Sequence, residues 1–347
     1  MKIQFNKVIF LPSYILLTIH SCCIAQDINF SQFYELPLLR NPALAGIYKG
    51  DMRVTSAYRN QWQSVPVPFR TQALGIETKF SVGANSDDYI SLGLQLTNDV
   101  AGDGRLGKTQ MLPVLAYHKI ISYTRNTYLT AGFIGGAVSQ RFDPTRLRFD
   151  DQFVNGAYSP TNPTFQSFTN TNITYWDAAV GLSLSSDFGY NNRFFIGTAY
   201  FHFNEPKVAF SALNDIRLNT KFVINGGLSL ATSDYDYLTL YGDFFSQGGK
   251  TQMQLGATYK HTLIEDINDE TVAVSLGGFY RWNDAFIPLF KLDYYKWAVG
   301  VSYDTNVSSL RTASQFRGGF ELTLSFKSFL NIRNSSAQKF RCPIPFW

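Results

Sequence analysis

Few residues in this 347-residue chain have the types and spacing that chemistry requires. Gly102-Asp103-Gly104-Arg105-Leu106-Gly107 matches G-x-G-x-x-G letter for letter. A dinucleotide site needs that run between a strand and a helix, so that the helix N-terminus meets the pyrophosphate. Here the following residues, from Lys108 to Ile121, continue as a strand pattern, so the run is expected to be a glycine-rich turn or loop. His118, His202 and His261 each stand alone on a separate strand candidate, without the paired spacing of a zinc site. They are expected to line or girdle the fold. Asp150-Asp151, and Asp99 with Asp103, could hold calcium weakly but lack the pattern of a dedicated loop. There is no G-x-S-x-G elbow and no assignable nucleophile–base set, so no catalytic residue, metal or cofactor is expected.

The elements that would carry these residues are strands. From residue 51 onward, apolar and small or polar residues alternate with period two. Trp176, Ala178, Val180, Leu182 and Leu184 alternate with Asp177, Ala179, Gly181, Ser183 and Ser185, and Trp297, Val299, Val301 and Tyr303 with Ala298, Gly300, Ser302 and Asp304. About fourteen such segments run from 51–62 to 314–326, near the length a tilted membrane strand needs. Their second face is mostly small and neutral. A water-facing sandwich would carry many lysines and glutamates there, whereas a barrel interior would not. An even strand count puts both ends on one side. The longest connections, 139–173 and 204–218, are then the fifth and seventh, on the side opposite the termini, as in outer-membrane barrels. The segment 262–270 is longer than that pattern expects. Loop 139–173 reads either as a disordered surface loop or as a lid or partner-binding surface.

Composition is consistent with this. Aromatic residues make up 16% and charged residues also 16%, against about 25% charged in ordinary globular proteins. An aromatic-rich extracellular sandwich or propeller would share that bias. Lys2 and Lys7, the apolar stretch 8–19 and Cys23-Ile24-Ala25 read as a secretory signal over 1–25. An uncleaved anchor and a lipoprotein cleavage before Cys22 fit less well, because the apolar stretch is short and Ile19-His20-Ser21 lacks small residues. Without the signal the chain is nearly neutral, which argues for no nucleic-acid partner. Cys342 is then the remaining cysteine, so no disulfide framework is expected.

Four regions follow: a signal peptide over 1–25, a Pro/Asn/Gly-rich lead-in over 26–50, the barrel over 51–326, and a tail over 327–347. The lead-in carries Phe30, Phe33, Tyr34, Leu36, Leu38 and Leu39, too apolar to hang in water, and Pro37 and Pro42 disfavour a long helix. It is expected to plug the periplasmic mouth or the lumen. On the first strand Tyr58 and Trp62 face lipid, while Arg59 and Gln61 face inward. Arg59 either braces an inward acid such as Glu77 or Glu321, or fastens the lead-in through its carbonyls. Glu77, Lys79 and Asp177 are the other inward charges expected.

The same stretches carry a family resemblance. Asp27-Ile28-Asn29-Phe30-Ser31-Gln32-Phe33-Tyr34, then Pro37 to Gly46 with its Asn41-Pro42-Ala43-Leu44-Ala45-Gly46, then Tyr58-Arg59-Asn60-Gln61-Trp62, and the late Cys342-Pro343, resemble the PorP/SprF family of Bacteroidota outer-membrane proteins. Leu36, where the family often has Asn, and the closing Ile-Pro-Phe-Trp depart from it. The resemblance implies a non-catalytic transmembrane β-barrel of the type IX secretion system and of gliding motility, in the bacterial outer membrane. It also implies partners: a secreted or surface adhesin with a C-terminal sorting domain, other secretion components, and periplasmic peptidoglycan-associated proteins. Outer-membrane lipid would surround the barrel. The alternative is a passive or substrate-specific channel of porin or lipid-transporter type, whose lumen should show charge ladders at a constriction.

Overall fold

The computed structural model describes residues 27–61, 69–82, 87–154, 156–166, 168–210, 215–265, 271–308, 317–330 and 335. Period-two alternation is realised as a closed antiparallel barrel of fourteen strands. These are β1 (Met52–Gln61), β2 (Phe69–Ser81), β3 (Tyr89–Ala101), β4 (Leu106–Ser122), β5 (Thr127–Arg141), β8 (Asn172–Phe188), β9 (Asn192–Phe201), β10 (Lys221–Ala231), β11 (Asp236–Gln247), β12 (Lys250–Glu265), β13 (Thr271–Arg281), β14 (Ala285–Tyr294), β15 (Trp297–Asn306) and β16 (Arg317–Ser328). Two short strands, β6 (Phe153–Val154) and β7 (Ala157–Tyr158), form a separate hairpin. Closure comes from β1 pairing β16, with Arg59 opposite Glu321. It leaves no unpaired edge, which is what a membrane-spanning sheet requires. No helix among the described residues is long and apolar enough to cross a membrane.

Side chains sort by parity. Leu92, Leu115, Phe133, Trp176, Leu182, Ile196 and Leu276 stand exposed on the outer wall, while Ser91, Gln95, His118, Thr130, Ser183 and Thr323 are buried inside. In water such an outer surface would be a severe liability; in hydrocarbon it is the favourable arrangement. Several strands outrun the expected ten residues, and β4 and β8 reach 17 each. As a result Gly102–Arg105 is a tight turn between β3 and β4, with Arg105 at positive φ and a strand, not a helix, behind it. Likewise β12 runs through Glu265, so the connection that read as 262–270 is shorter.

Both chain ends of the barrel, the start of β1 and the end of β16, lie at one rim, here the terminal end. The opposite rim, the loop end, carries the connections 142–171 and 202–220. The longer loop is folded. Phe142 packs edge-on against Phe168 and Phe210, with ring centroids 5.0 and 4.8 Å away, and Asn170 N donates to Phe210 O. Asp151 accepts from Thr164 Oγ1 and Phe165 N, so this acid closes the loop. The two loops are thereby one unit.

Candidate functional site

The site is the lumen and the segment inside it. Residues 27–51 enter the barrel from the loop end, fill it, and leave at the terminal end into β1. Of the two places expected for it, the periplasmic mouth or the lumen, this segment takes the lumen: it contacts wall residues from one rim to the other. Its apolar side chains explain why. Phe33 and Tyr34 pack with Tyr241 and Phe279, the Tyr34 ring stacking at 5.1 and 5.6 Å. Leu38 joins a cluster with Leu112, Val114 and Ile134, and Leu44 and Ile47 join Phe195. Each such side chain gains about 1.5–3 kcal/mol over exposure to water. Pro37 starts a one-turn helix, α1 (Pro37–Arg40), where its missing N–H costs nothing, and Pro42 starts a 3-10 turn.

Polar residues fix the register. Glu321 accepts from the consecutive backbone amides of Ser31 and Gln32, both at 2.7 Å. Gln32 Nε2 donates to Ser302 Oγ and the Glu321 carbonyl, and Thr323 Oγ1 donates to Gln32 Oε1. Ser31 Oγ donates to Asp304 at 2.5 Å, and Gln254 Nε2 donates to the Ser31 carbonyl. Arg59 sits in this knot, 2.8 Å from Asp304 and 3.9 Å from Glu321, and also donates to the Asn29 carbonyl. Arg281 binds Asp304 at 3.1 Å and Ser31 Oγ at 2.8 Å. Arg59 therefore both braces an acid and fastens the lead-in. Its acids are Asp304 and Glu321, not Glu77. Glu77 is taken by Arg53, at 2.6 and 3.0 Å, and by the amide of Gly46 at 2.9 Å.

Three further anchors lie along the segment. Glu35 pairs with Lys291 deep in the lumen, both side chains buried. Arg40 forms a two-pronged pair with Asp243. Asn41 Nδ2 donates to the carbonyls of Leu182 and Thr198, while its Oδ1 accepts from Ala43 N. The wall makes room for Asn41-Pro42-Ala43 by losing side chains. Ala116, Gly132, Gly181 and Ala199 pair in a lateral row across β4, β5, β8 and β9. A Cβ on Gly132 would run into the backbone of Pro42 and Ala43, and one on Gly181 into the Asn41 side chain. Gly46 turns at φ +77 against Ser91 and His118, where no side chain fits.

At the loop end, Asp27 meets three cations: His202 Nε2 at 2.6 Å, Lys108 Nζ at 3.1 Å and Lys221 Nζ at 3.6 Å. His202 donates its other nitrogen to Asp177 at 2.7 Å. Burial works against a charged Asp27, but Lys108, His202 and Lys221 outweigh it and hold the carboxyl well below the usual range. Burial likewise disfavours charged His202, but Asp27 and Asp177 prevail and push it up to about 9. A raised folded-state value stabilises fully below the unfolded value near 6.5 and is lost as pH climbs through about 9. Folded barrels in detergent should therefore lose about 2–3 kcal/mol between pH 7 and 10 through this group. A His202→Gln variant should lack that part of the decline; matching wild-type and variant curves in denaturant titrations at both pH values would refute the assignment.

Among the residues expected to matter, Asn41, Pro42, Gly46, Arg59 and Glu77 are buried around the lead-in, and Gln61 ends β1 on the inward row. Tyr58 faces outward, and it pairs across the sheet with Leu322. Trp62 and Cys342 lie outside the described residues. The expectation of a mostly small, neutral interior with Arg59, Glu77, Lys79, Asp177 and Glu321 as its charges is corrected. Arg53, Lys108, Lys221, Asp243, Arg281, Lys291 and Asp304 also face in, one or two per strand, and the signal was there in single charges on the inward parity. His118 lines the wall between Ser91 and Thr130, and His261 pairs with Asp236. No group of three or more metal-ligating side chains occurs among the described residues.

A FadL homologue from Pseudomonas aeruginosa matches over 83% of this chain and 92% of its own, at 8% identity and a TM-score of 0.45. The CymD monoaromatic hydrocarbon channel matches over 86% and 94%, at 9% identity and 0.45. No curated protein matches the sequence. The family model for the type IX secretion system membrane protein PorP/SprF matches residues 23–326, from before the lead-in to within the last strand. With its lead-in, its closed outer-membrane barrel and nearly its whole length inside that match, the chain belongs to the PorP/SprF family of type IX secretion system membrane proteins.

Proposed function

We propose that this barrel is a non-catalytic accessory of type IX secretion that assists export and surface attachment of sorting-domain proteins such as gliding adhesins. In this reading a signal peptide over 1–25 is removed and the terminal end faces the periplasm, where peptidoglycan-associated proteins meet it. The loop end faces outward and receives the adhesin. The observation that carries the reading is the filled lumen. A barrel most of whose interior charges converge on its own lead-in is suited to presenting a rigid surface rather than to passing solutes. The joined loops 142–171 and 202–220 offer that surface, with Phe153, Val154, Phe165 and Ile216 exposed on them. Deleting residues 145–170 should leave a folded barrel in the outer membrane and abolish attachment of the partner adhesin to the cell surface. Normal attachment with a correctly assembled deletion variant would sink the proposal.

A further inference from the structure

The contact at the loop end of the lumen differs from the other anchors. Three cations from different strands or strand ends, Lys108, His202 and Lys221, converge on one carboxylate, that of Asp27. The side chains of Asp27 and Lys108 keep 14% and 16% of their surface, whereas Arg53 and Glu77 keep 0% and 3%. Asp27, Ile28 and Asn29 are the least buried residues in the first part of the lead-in, ahead of the fully enclosed Phe30 to Leu38. The knot around Ser31 and Gln32 takes in the Asn29 carbonyl through Arg59, but its bonds involve neither Asp27 nor Ile28. His202 aims its ring here from a left-handed backbone, φ +58, which a non-glycine residue rarely adopts. Such strain clusters where a side chain must be held for function. Gln247 Oε1 accepts the Asp27 backbone N–H at 3.4 Å. A small cavity of about 40 Å³, lined by Ile28, Leu39, Val223 and Phe245, has Lys221 on its wall. Cations for a carboxylate, an acceptor for a peptide N–H and an apolar hollow beside them match an acidic residue of an extended chain followed by an apolar one.

We propose that Lys108, His202 and Lys221 form a receptor for an acidic residue of an extended peptide, which Asp27 occupies at rest and an acidic segment of a docked partner takes over. The inference rests on the reading above only for the side from which the peptide comes; binding itself is tested without it. A tethered occupant competes at an effective concentration near the millimolar range. A free carboxylate therefore competes poorly with it, while a segment delivered by a partner already seated on the loops competes well.

The test uses the full chain in detergent micelles, with folding verified by the heat-induced shift of the barrel on gels. Titration calorimetry compares wild type with Asp27→Ala, using N-acetyl-aspartyl amide, N-acetyl-asparaginyl amide and sodium acetate as probes. If Asp27→Ala does not fold, Asp27→Asn takes its place. The aspartyl amide should bind the variant at least about tenfold more tightly than wild type. The asparaginyl amide should not bind, and adding Lys108→Met and Lys221→Met to Asp27→Ala should abolish binding. Acetate binding as tightly as the aspartyl amide would show a site for free carboxylates and overturn the peptide assignment. Absence of saturable binding, or binding that survives loss of both lysines, would overturn the receptor itself.

Discussion

Replacing Arg59 with methionine should destabilise the folded barrel by about 3–5 kcal/mol, the usual cost of removing one partner from a buried ion pair. Arg59 is 2% exposed and lies between two acids, Asp304 and Glu321, that β15 and β16 bring to the same place. Without the guanidinium, Asp304 retains Arg281 and Ser31 Oγ. Glu321 retains the amides of Ser31 and Gln32. Asp304 would keep Arg281 as its cation, Glu321 would be left with the two amides in a poorly solvated space, and the Asn29 carbonyl would lose its donor. Arg59→Lys should fall between, because an ammonium keeps the charge but cannot reach two acids and a carbonyl from one plane. Denaturant unfolding of the barrel in lipid vesicles, followed by tryptophan fluorescence, measures both. A methionine variant within about 0.5 kcal/mol of wild type would refute the role, since that is the ordinary range for changes away from any network.

Arg59 also marks how far the sequence could be read. That it faces inward follows from parity on one strand, because period two is a local property of the chain. Which acid it meets does not. Glu321 lies opposite Arg59 because β1 closes on β16, and Asp304 comes within reach from the strand beyond. Closure of the ring is a long-range fact that alternation does not contain. The same limit explains why Glu77 looked like a partner: it lies on the adjacent strand, but opposite Arg53, and a shift of six residues along a strand separates the two pairs. The outer wall was legible for the opposite reason. Trp176, Val180 and Leu182 need only lipid, so a run of alternating apolar residues states their whole environment.

The charged lumen was hidden by its spacing. Lys108, Lys221, Asp243 and Arg281 each stand as the single charge on an inward row, and one charge per strand resembles a solvated face. Only their convergence on the lead-in gives them meaning, across separations such as the 175 residues between Asp27 and His202. The glycines that receive Asn41-Pro42-Ala43 were equally silent. Gly132 and Gly181 are unremarked within their strands, and only their pairing side by side makes a notch. The resemblance of residues 27–62 to a known family located the important stretch without saying what its residues hold. The chemistry that porin-like charge ladders would have offered to solutes is present here, but it is spent on the plug: Glu35, Arg40 and Asp27 each take wall charges of opposite sign.

Reconstituted in planar bilayers, wild-type protein should give no large, steady conductance, and removal of residues 27–44 should convert it to an open channel. That deletion takes out the aromatic plug of Phe33 and Tyr34, the α1 turn and the Asn41-Pro42-Ala43 segment, and it leaves Gly46 and Tyr48 to hold the start of β1 through Glu77. The emptied wall would present Lys108, Lys221, Arg281 and Lys291 with Asp177, Asp243, Asp304 and Glu321 to water, a polar lining that wets readily. A barrel of this strand number has an interior wider than the eight-stranded barrels that side chains alone can fill. Because the lead-in also contributes to folding, a second variant keeps the experiment decisive. Gly132→Leu places a side chain where Pro42 and Ala43 now lie, and should raise open-channel events with the sequence otherwise intact. A wild-type barrel that conducts steadily would favour the channel reading over the plugged accessory. Closed traces from both folded variants would show that the lumen is sealed by something other than the lead-in.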